Sequence, residues 1–148
     1  MKRKQFLSAV LVLLALVGFA KPAFAQDKIE GFWFNEEKSA KVKIYKAVDG
    51  KFWGVIVWLK EPVRDGKPRV DDKNPKEKFR NTPLINLPVL RGFKKDGEDY
   101  DGGQIYDPKN GKTYDCNITY RNANELGIRG YVGVSLLGRT TTWTRTTN

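Results

Sequence analysis

The sequence contains no histidine and only one cysteine among its 148 residues. Without histidine the chain cannot build a Ser-His-Asp triad, a Cys-His dyad or a typical zinc site, so these classes are excluded. A single cysteine, Cys116, cannot form an intramolecular disulfide, so the stability of the protein must come from packing. We therefore expect a protein that is not an enzyme, with no catalytic residues, metal or cofactor, in which Cys116 is a small core residue.

The first 25 residues have the features of an export signal. Three basic residues at positions 2–4 precede an almost wholly apolar run over residues 6–20, and an Ala-Phe-Ala cleavage pattern ends at Ala25. The apolar run is short for a membrane span, and no stop-transfer pattern follows it. The sequence predicts a signal peptide over residues 1–25 and one domain over residues 26–148. The expected location is secreted and periplasmic, with no transmembrane segment after cleavage.

Positive charge dominates the predicted domain. Removing the four basic residues of the signal leaves 23 basic against 17 acidic residues, which is a net charge of +6. Outside the cytoplasm the available polyanions are lipid headgroups and envelope polymers, and the chain has no motif for reading nucleic acid. We therefore expect an anionic envelope partner and no nucleic-acid partner.

Short strands separated by turn signals run through the predicted domain. Asp49-Gly50 and Asn110-Gly111 are two-residue hairpin signals, and residues 94–103 have the composition of an acidic, glycine-containing turn. The predicted strands are residues 31–34, 40–47, 52–59, 84–93, 104–106, 112–120, 126–134 and 139–146. About eight strands at near-regular spacing predict an all-β fold, a single antiparallel up-and-down β-barrel.

Residues 60–83, the flap, interrupt this rhythm. The flap holds four of the seven prolines, and Asn74-Pro75 followed by Glu77 predicts a short helix near residues 75–80. Eight basic residues exceed five acidic ones, so the flap could clamp an anionic headgroup or wall polymer at the barrel mouth, or could be an ordinary solvated loop. The basic residues are Lys60, Arg64, Lys67, Arg69, Lys73, Lys76, Lys78 and Arg80.

The first and last predicted strands carry residues that could close the barrel. Since these strands pair in a closed barrel, the Arg145 guanidinium can stack on the Trp33 indole. Gly31-Phe32-Trp33 with Arg145 resembles the lipocalin and wider calycin signature, a Gly-x-Trp capped by an arginine from the last strand. The resemblance implies a lipocalin-like fold and a structural role, not a ligand-binding one, for Gly31, Trp33 and Arg145.

Further segments spread over nearly the whole predicted domain follow one pattern. They are Gly31-Phe32-Trp33, residues 45–59, Asp72-Lys73-Asn74-Pro75, residues 103–114, residues 129–133 and residues 137–145. Together they resemble the bacterial family known as domain of unknown function 2147. The resemblance implies an exported small β-barrel and brings no agreed activity, so it assigns no catalytic residues.

Aromatic residues make a ligand cavity the leading hypothesis. Strand 52–59 is apolar on both faces, so a ligand, a lid or a partner must cover its second face. The candidates for binding a ligand are Trp53, Trp58, Tyr106, Tyr114, Trp143 and Arg139. The function favoured by these features is an exported, non-catalytic envelope protein that binds a small apolar or amphiphilic molecule in its barrel.

Two alternatives stay open. Because side chains alone can fill a barrel of this size, the protein could be an interaction module that docks on an anionic envelope polymer or an envelope protein. A carboxylate-dependent hydrolase is the less favoured alternative and would need two facing acids, for example Asp107 and Asp115. The acidic turn over residues 94–103 could hold calcium, but a solvated hairpin explains it as well.

Overall fold

The computed structural model describes residues 25–148. The signal peptide predicted over residues 1–25 therefore lies, except for its last residue, outside the described part of the chain. The strands within that part are β1 (Gly31–Phe34), β2 (Ala40–Lys46), β3 (Phe52–Leu59), β4 (Val63–Arg64), β5 (Lys67–Pro68), β6 (Pro88–Asp96), β7 (Asp99–Asp107), β8 (Lys112–Asn122), β9 (Glu125–Tyr131) and β10 (Arg139–Thr146). Two short 3-10 helices cover Glu77–Phe79 and Ser135–Leu137.

Eight strands close into one antiparallel barrel in the order β1-β10-β9-β8-β7-β6-β3-β2. The first and last strands pair, with Trp33 opposite Arg145. The remaining two, β4 and β5, form a small hairpin inside the flap. These observations confirm the predicted all-β fold with a single barrel of eight strands.

The antiparallel alternation gives the barrel two different ends. One end, the closed end, carries the short β2–β3, β6–β7 and β8–β9 turns together with the N-terminal residues of the described chain. Its interior is filled by large buried side chains, namely Ile29, Trp33, Phe52, Phe93 and Tyr100. The opposite end, the open end, carries the β1–β2, β7–β8 and β9–β10 connections and the long β3–β6 connection that contains the flap.

Residues 94–103, predicted as a turn, are instead the paired ends of β6 and β7. Lys94 lies opposite Asp101 and Lys95 lies opposite Tyr100, so only residues 97–98 turn the chain. Lys94 and Asp101 carry opposite charges across the ladder, and exposed strand ends accept charged side chains. The local composition therefore resembled that of a turn, although Tyr100 anchors the segment in the core.

The flap contains less helix than predicted. Of residues 75–80 only Glu77–Phe79 are helical, as a single 3-10 turn. Asn74 does not cap this turn, because its side chain accepts a hydrogen bond from the backbone amide of Lys76 at 2.9 Å and closes a local turn instead. Within residues 25–148 no helix combines the length and apolar character needed to span a bilayer.

Cys116 lies on β8 and is fully buried. Burial raises the pKa of its thiol to about 12, so the reactive thiolate is scarce at neutral pH. We expect a maleimide to leave the folded protein unlabelled at pH 8 and to label one thiol per chain in denaturant. Mass spectrometry of both samples checks this, and labelling of the native protein at the denatured rate would show that the thiol is exposed.

Candidate functional site

The closed end is completed by a stack between Arg145 and Trp33. The guanidinium carbon lies 4.0 Å from the indole centroid, and the fully buried Trp33 donates from Nε1 to the Ile29 carbonyl at 2.8 Å. Gly31 has a φ of +127°, which strains other residues, and an added Cβ would lie 2.8 Å from Arg145 Nη1, so glycine is favoured there. The guanidinium also donates to three backbone carbonyls, those of Lys28, Glu30 and Ala123. The predicted barrel closure is confirmed.

The open half of the barrel encloses a cavity of about 510 Å³. Its apolar wall is formed by Val42, Ile56, Leu59, Leu84, Val89, Ile105, Ile128 and Trp143. None of the large side chains that fill the closed end reaches this wall, so the interior is filled at one end and open at the other. A volume of this size falls in the range of roughly 300–1,000 Å³ that small-molecule sites occupy.

The structure brings four of the six predicted ligand-binding residues to this cavity. Those that line it are Tyr106, Tyr114, Trp143 and Arg139. Contrary to the sequence-based expectation, Trp53 and Trp58 do not line it. Both tryptophans belong to β3, so the local geometry of that strand accounts for the difference.

A β-bulge turns Trp58 away from the interior. The register shifts after Lys41, which pairs with Trp58, because the next residue of β2 pairs with Ile56. One residue of β3 is thus left over, and Leu59 rather than Trp58 points inward. Trp58 instead packs edge-on against Phe34, with ring centroids 5.8 Å apart. Strict alternation along the strand could not reveal a bulge.

Trp53 lies on the same outer face of β3, opposite Tyr45. It is half-buried, and its Nε1 has no hydrogen-bond partner within the described chain. The second apolar face of this strand is therefore an outer surface of the barrel and does not line the cavity.

A buried carboxylate that sequence reasoning missed fastens the flap to the barrel. Asp71 is fully buried and accepts hydrogen bonds from Tyr106 Oη and Asn74 Nδ2, both at 2.7 Å. Its own backbone amide donates to the Thr82 carbonyl. Burial raises the pKa of Tyr106, and the hydrogen bond to the carboxylate raises it further. The Tyr106 hydroxyl is thus committed to the flap, and no local signal separates Asp71 from the exposed Asp72.

One flap residue, Arg69, lines the cavity beside Leu84. The Leu84 amide, just beyond the flap, donates to the Arg69 carbonyl at 3.1 Å, and both residues line the cavity. The half-buried Arg69 side chain makes no hydrogen bond or ion pair within residues 25–148. The other flap cations are exposed, and they are Lys60, Arg64, Lys67, Lys73, Lys76, Lys78 and Arg80.

The remaining charged groups of the mouth have partners. Glu36 pairs with Arg139 at 3.6 Å, and Glu37 pairs with Lys109. The carboxylate of Asp107 accepts a hydrogen bond from the backbone amide of Lys109 at 2.9 Å. Arg69 therefore stands out among the charged cavity residues as a cation with no local partner in the described chain.

The acidic residues considered for catalysis or calcium binding are not brought together. Asp107 lines the mouth, whereas Asp115 is exposed opposite Gln104 and does not line it. In the former acidic turn Glu98 pairs with Lys28. Among residues 25–148 no three acidic or cysteine side chains form a group that could hold a metal ion.

A closed eight-stranded barrel with an arginine-capped tryptophan at one end and a cavity at the other defines a lipocalin-like protein. The chain belongs to the family described as "Uncharacterized protein conserved in bacteria (DUF2147)", whose model matches residues 31–145.

A similar solved structure is that of protein HP1028 from Helicobacter pylori, described as belonging to the lipocalin family. It is 25% identical, and the two superpose with a TM-score of 0.70 over 80% of this chain and 83% of that one. Among curated proteins no match to the chain was found.

Proposed function

We propose that this protein is an exported, non-catalytic envelope protein that holds a small amphiphile in its barrel. The observation that carries the proposal is the cavity of about 510 Å³, apolar along its wall and open at one end. The likeness to a lipocalin-family protein supports the same function. The filled-barrel alternative describes only the closed half of the molecule. Export rests on the first 25 residues, and a periplasmic fraction should yield a chain that starts at Gln26.

The cavity also specifies the polarity of its ligand. Apolar walls favour a hydrocarbon chain, since burying such a chain removes apolar surface from water. The half-buried Arg69, whose side chain has no partner among the described residues, gains most from an anionic oxygen group, to which its guanidinium can donate two parallel hydrogen bonds. We therefore expect the ligand to carry a carboxylate or phosphate close to Arg69.

Binding of cis-parinaric acid, a fluorescent fatty acid, compared with its uncharged methyl ester tests this function. We expect the acid to bind roughly tenfold more tightly, because a charge-assisted hydrogen bond contributes more than about 1 kcal/mol. Arg69→Gln should reduce this preference to near parity, and Arg69→Lys should retain part of it. Arg64→Gln, which alters an exposed flap cation, is the matched control and should bind like the natural protein.

A second variant tests the role of the cavity independently of the head-group contact with Arg69. Ala40 lies opposite Leu59 and lines the cavity, so Ala40→Trp should fill the cavity and weaken binding of acid and ester alike. Equal affinity of the natural protein for acid and ester would remove Arg69 from the proposal. Unchanged binding by Ala40→Trp would show that the probe binds elsewhere and would overturn the cavity function itself.

A further inference from the structure

The β9–β10 connection presents an unusual concentration of exposed apolar side chains. Val132, Val134, Leu136 and Leu137 are 75%, 57%, 87% and 79% exposed. Single exposed apolar residues are common on soluble proteins, but a group of them within six residues marks an interaction site. The predicted strand over residues 126–134 included Val132, whereas β9 ends at Tyr131 and Val132 faces solvent.

The conformation of this loop is held by hydrogen bonds, so its exposure is part of the fold. Arg129 Nε donates to the Ser135 carbonyl at 2.7 Å, and Nη2 donates to the Leu136 carbonyl at 3.1 Å. The third nitrogen of the guanidinium donates to Thr140 Oγ1 at 2.9 Å. One arginine thus fixes the loop between β9 and β10 and presents its leucines outward.

The loop and the flap share the open end of the barrel. In the strand order, the β9–β10 connection lies diametrically across the barrel from the β3–β6 connection, with the cavity mouth between them. The exposed flap cations take part in none of the four ion pairs of residues 25–148. The open end therefore combines a projecting apolar loop on one side with a flap on the other in which eight basic residues exceed five acidic ones.

We propose that the open end docks on an anionic phospholipid bilayer. The β9–β10 loop inserts its apolar side chains at the boundary between headgroups and acyl chains, and the flap cations pair with lipid phosphates. An apolar loop and a cationic flap at the same end of the barrel suit a soft anionic surface that can contact both. A second copy of the chain would carry the same net charge of +6 over residues 26–148, which opposes association between copies. Docking in this orientation points the cavity mouth at the bilayer, but it depends only on the surface residues.

Co-sedimentation of the mature protein with vesicles tests this docking. We expect binding to vesicles that contain phosphatidylglycerol and at least roughly tenfold weaker binding to pure phosphatidylcholine vesicles, with added salt weakening the former. The double variant Leu136→Ser with Leu137→Ser should lose at least about tenfold in affinity. Lys76→Gln with Lys78→Gln should weaken binding to the anionic vesicles alone.

A matched control lies at the other end of the barrel. Val48 is fully exposed in the β2–β3 turn, so Val48→Ser removes an equally exposed apolar side chain from the closed end and should leave vesicle binding unchanged. Urea unfolding of each variant checks that the fold is intact, and parinaric acid binding should persist in the leucine variant. If the natural protein does not bind parinaric acid, the cavity function is overturned, and the docking result still stands.

Two results would overturn the docking proposal. They are absence of binding to anionic vesicles and unchanged binding by the leucine double variant. If binding to vesicles is absent, a dimer that the leucine substitutions dissociate, detected by sedimentation, would assign the loop to a second copy of the chain.

Discussion

Replacing Arg145 by alanine should lower the free energy of unfolding by about 2–4 kcal/mol, because a partly buried cation–π stack and charge-assisted hydrogen bonds are lost together. The guanidinium lies 4.0 Å from the Trp33 centroid and donates to the carbonyls of three residues that precede β1 or connect β8 to β9. It therefore ties the N-terminal residues, the β8–β9 turn and the last strand together. Arg145→Lys should recover only a small part of the loss, since an ammonium group cannot reproduce the planar fork.

Arg139 provides the control on the same strand. Its side chain is largely exposed and reaches only Glu36, at 3.6 Å, so Arg139→Ala should cost less than about 1 kcal/mol. Urea unfolding followed by circular dichroism measures both changes. Equal losses for the two arginines would mean that the stack does not hold the closed end together.

Substituting Gly111 by alanine should detach the flap from the barrel. Gly111 ends the β7–β8 connection at a φ of +72°, and an added Cβ would lie 1.9 Å from the carbonyl oxygen of Lys73 in the flap. A backbone oxygen cannot yield as a flexible side chain can, so the two segments must separate. Asp71, two residues before Lys73, would be drawn away from Tyr106, and Arg69, the flap residue that lines the cavity, would lose its support.

Gly97 provides a control that distinguishes the effect of this contact from the effect of backbone strain. It has a φ of +62° in the β6–β7 turn, with no atom within 4 Å of an added Cβ, so Gly97→Ala incurs only the left-handed penalty of about 1–2 kcal/mol. Limited trypsin digestion reports on the flap, which carries exposed lysines and arginines. A loss of about 1.4 kcal/mol in flap closure would speed cleavage there roughly tenfold. Equal flap cleavage in both variants would show that the Gly111 contact does not anchor the flap.

Individual residues show how much of the candidate site could be predicted from the sequence. Trp143, Tyr114 and Arg139, predicted as ligand-binding residues, line the cavity, and alternation along β8 and β10 turns them inward. Trp58 was misplaced because a bulge breaks the alternation in β3. Asp71 was missed because its burial depends on Tyr106, a residue 35 positions away in sequence.

The sequence by itself determined the class of fold. The signals for this class were alternating short strands, two glycine turns, and the set of Gly31, Trp33 and Arg145 at the two ends of the domain. They predict the fold correctly because the alternation of a strand and the conformation of a turn depend mainly on neighbouring residues in the sequence. The absence of histidine likewise excluded whole classes of chemistry, since no arrangement of the chain can supply an imidazole that its composition lacks.

Only the tertiary structure decided where the cavity lies in the barrel and which charged residue lines it without a partner. Cavity volume depends on how side chains from eight strands meet, and the lack of a partner for Arg69 within residues 25–148 depends on which acids the fold brings near. Val132 and the leucines that follow it are apolar, yet Arg129 holds their loop outside the barrel. Apolar character is a property of a residue, whereas burial is a property of the whole arrangement around it.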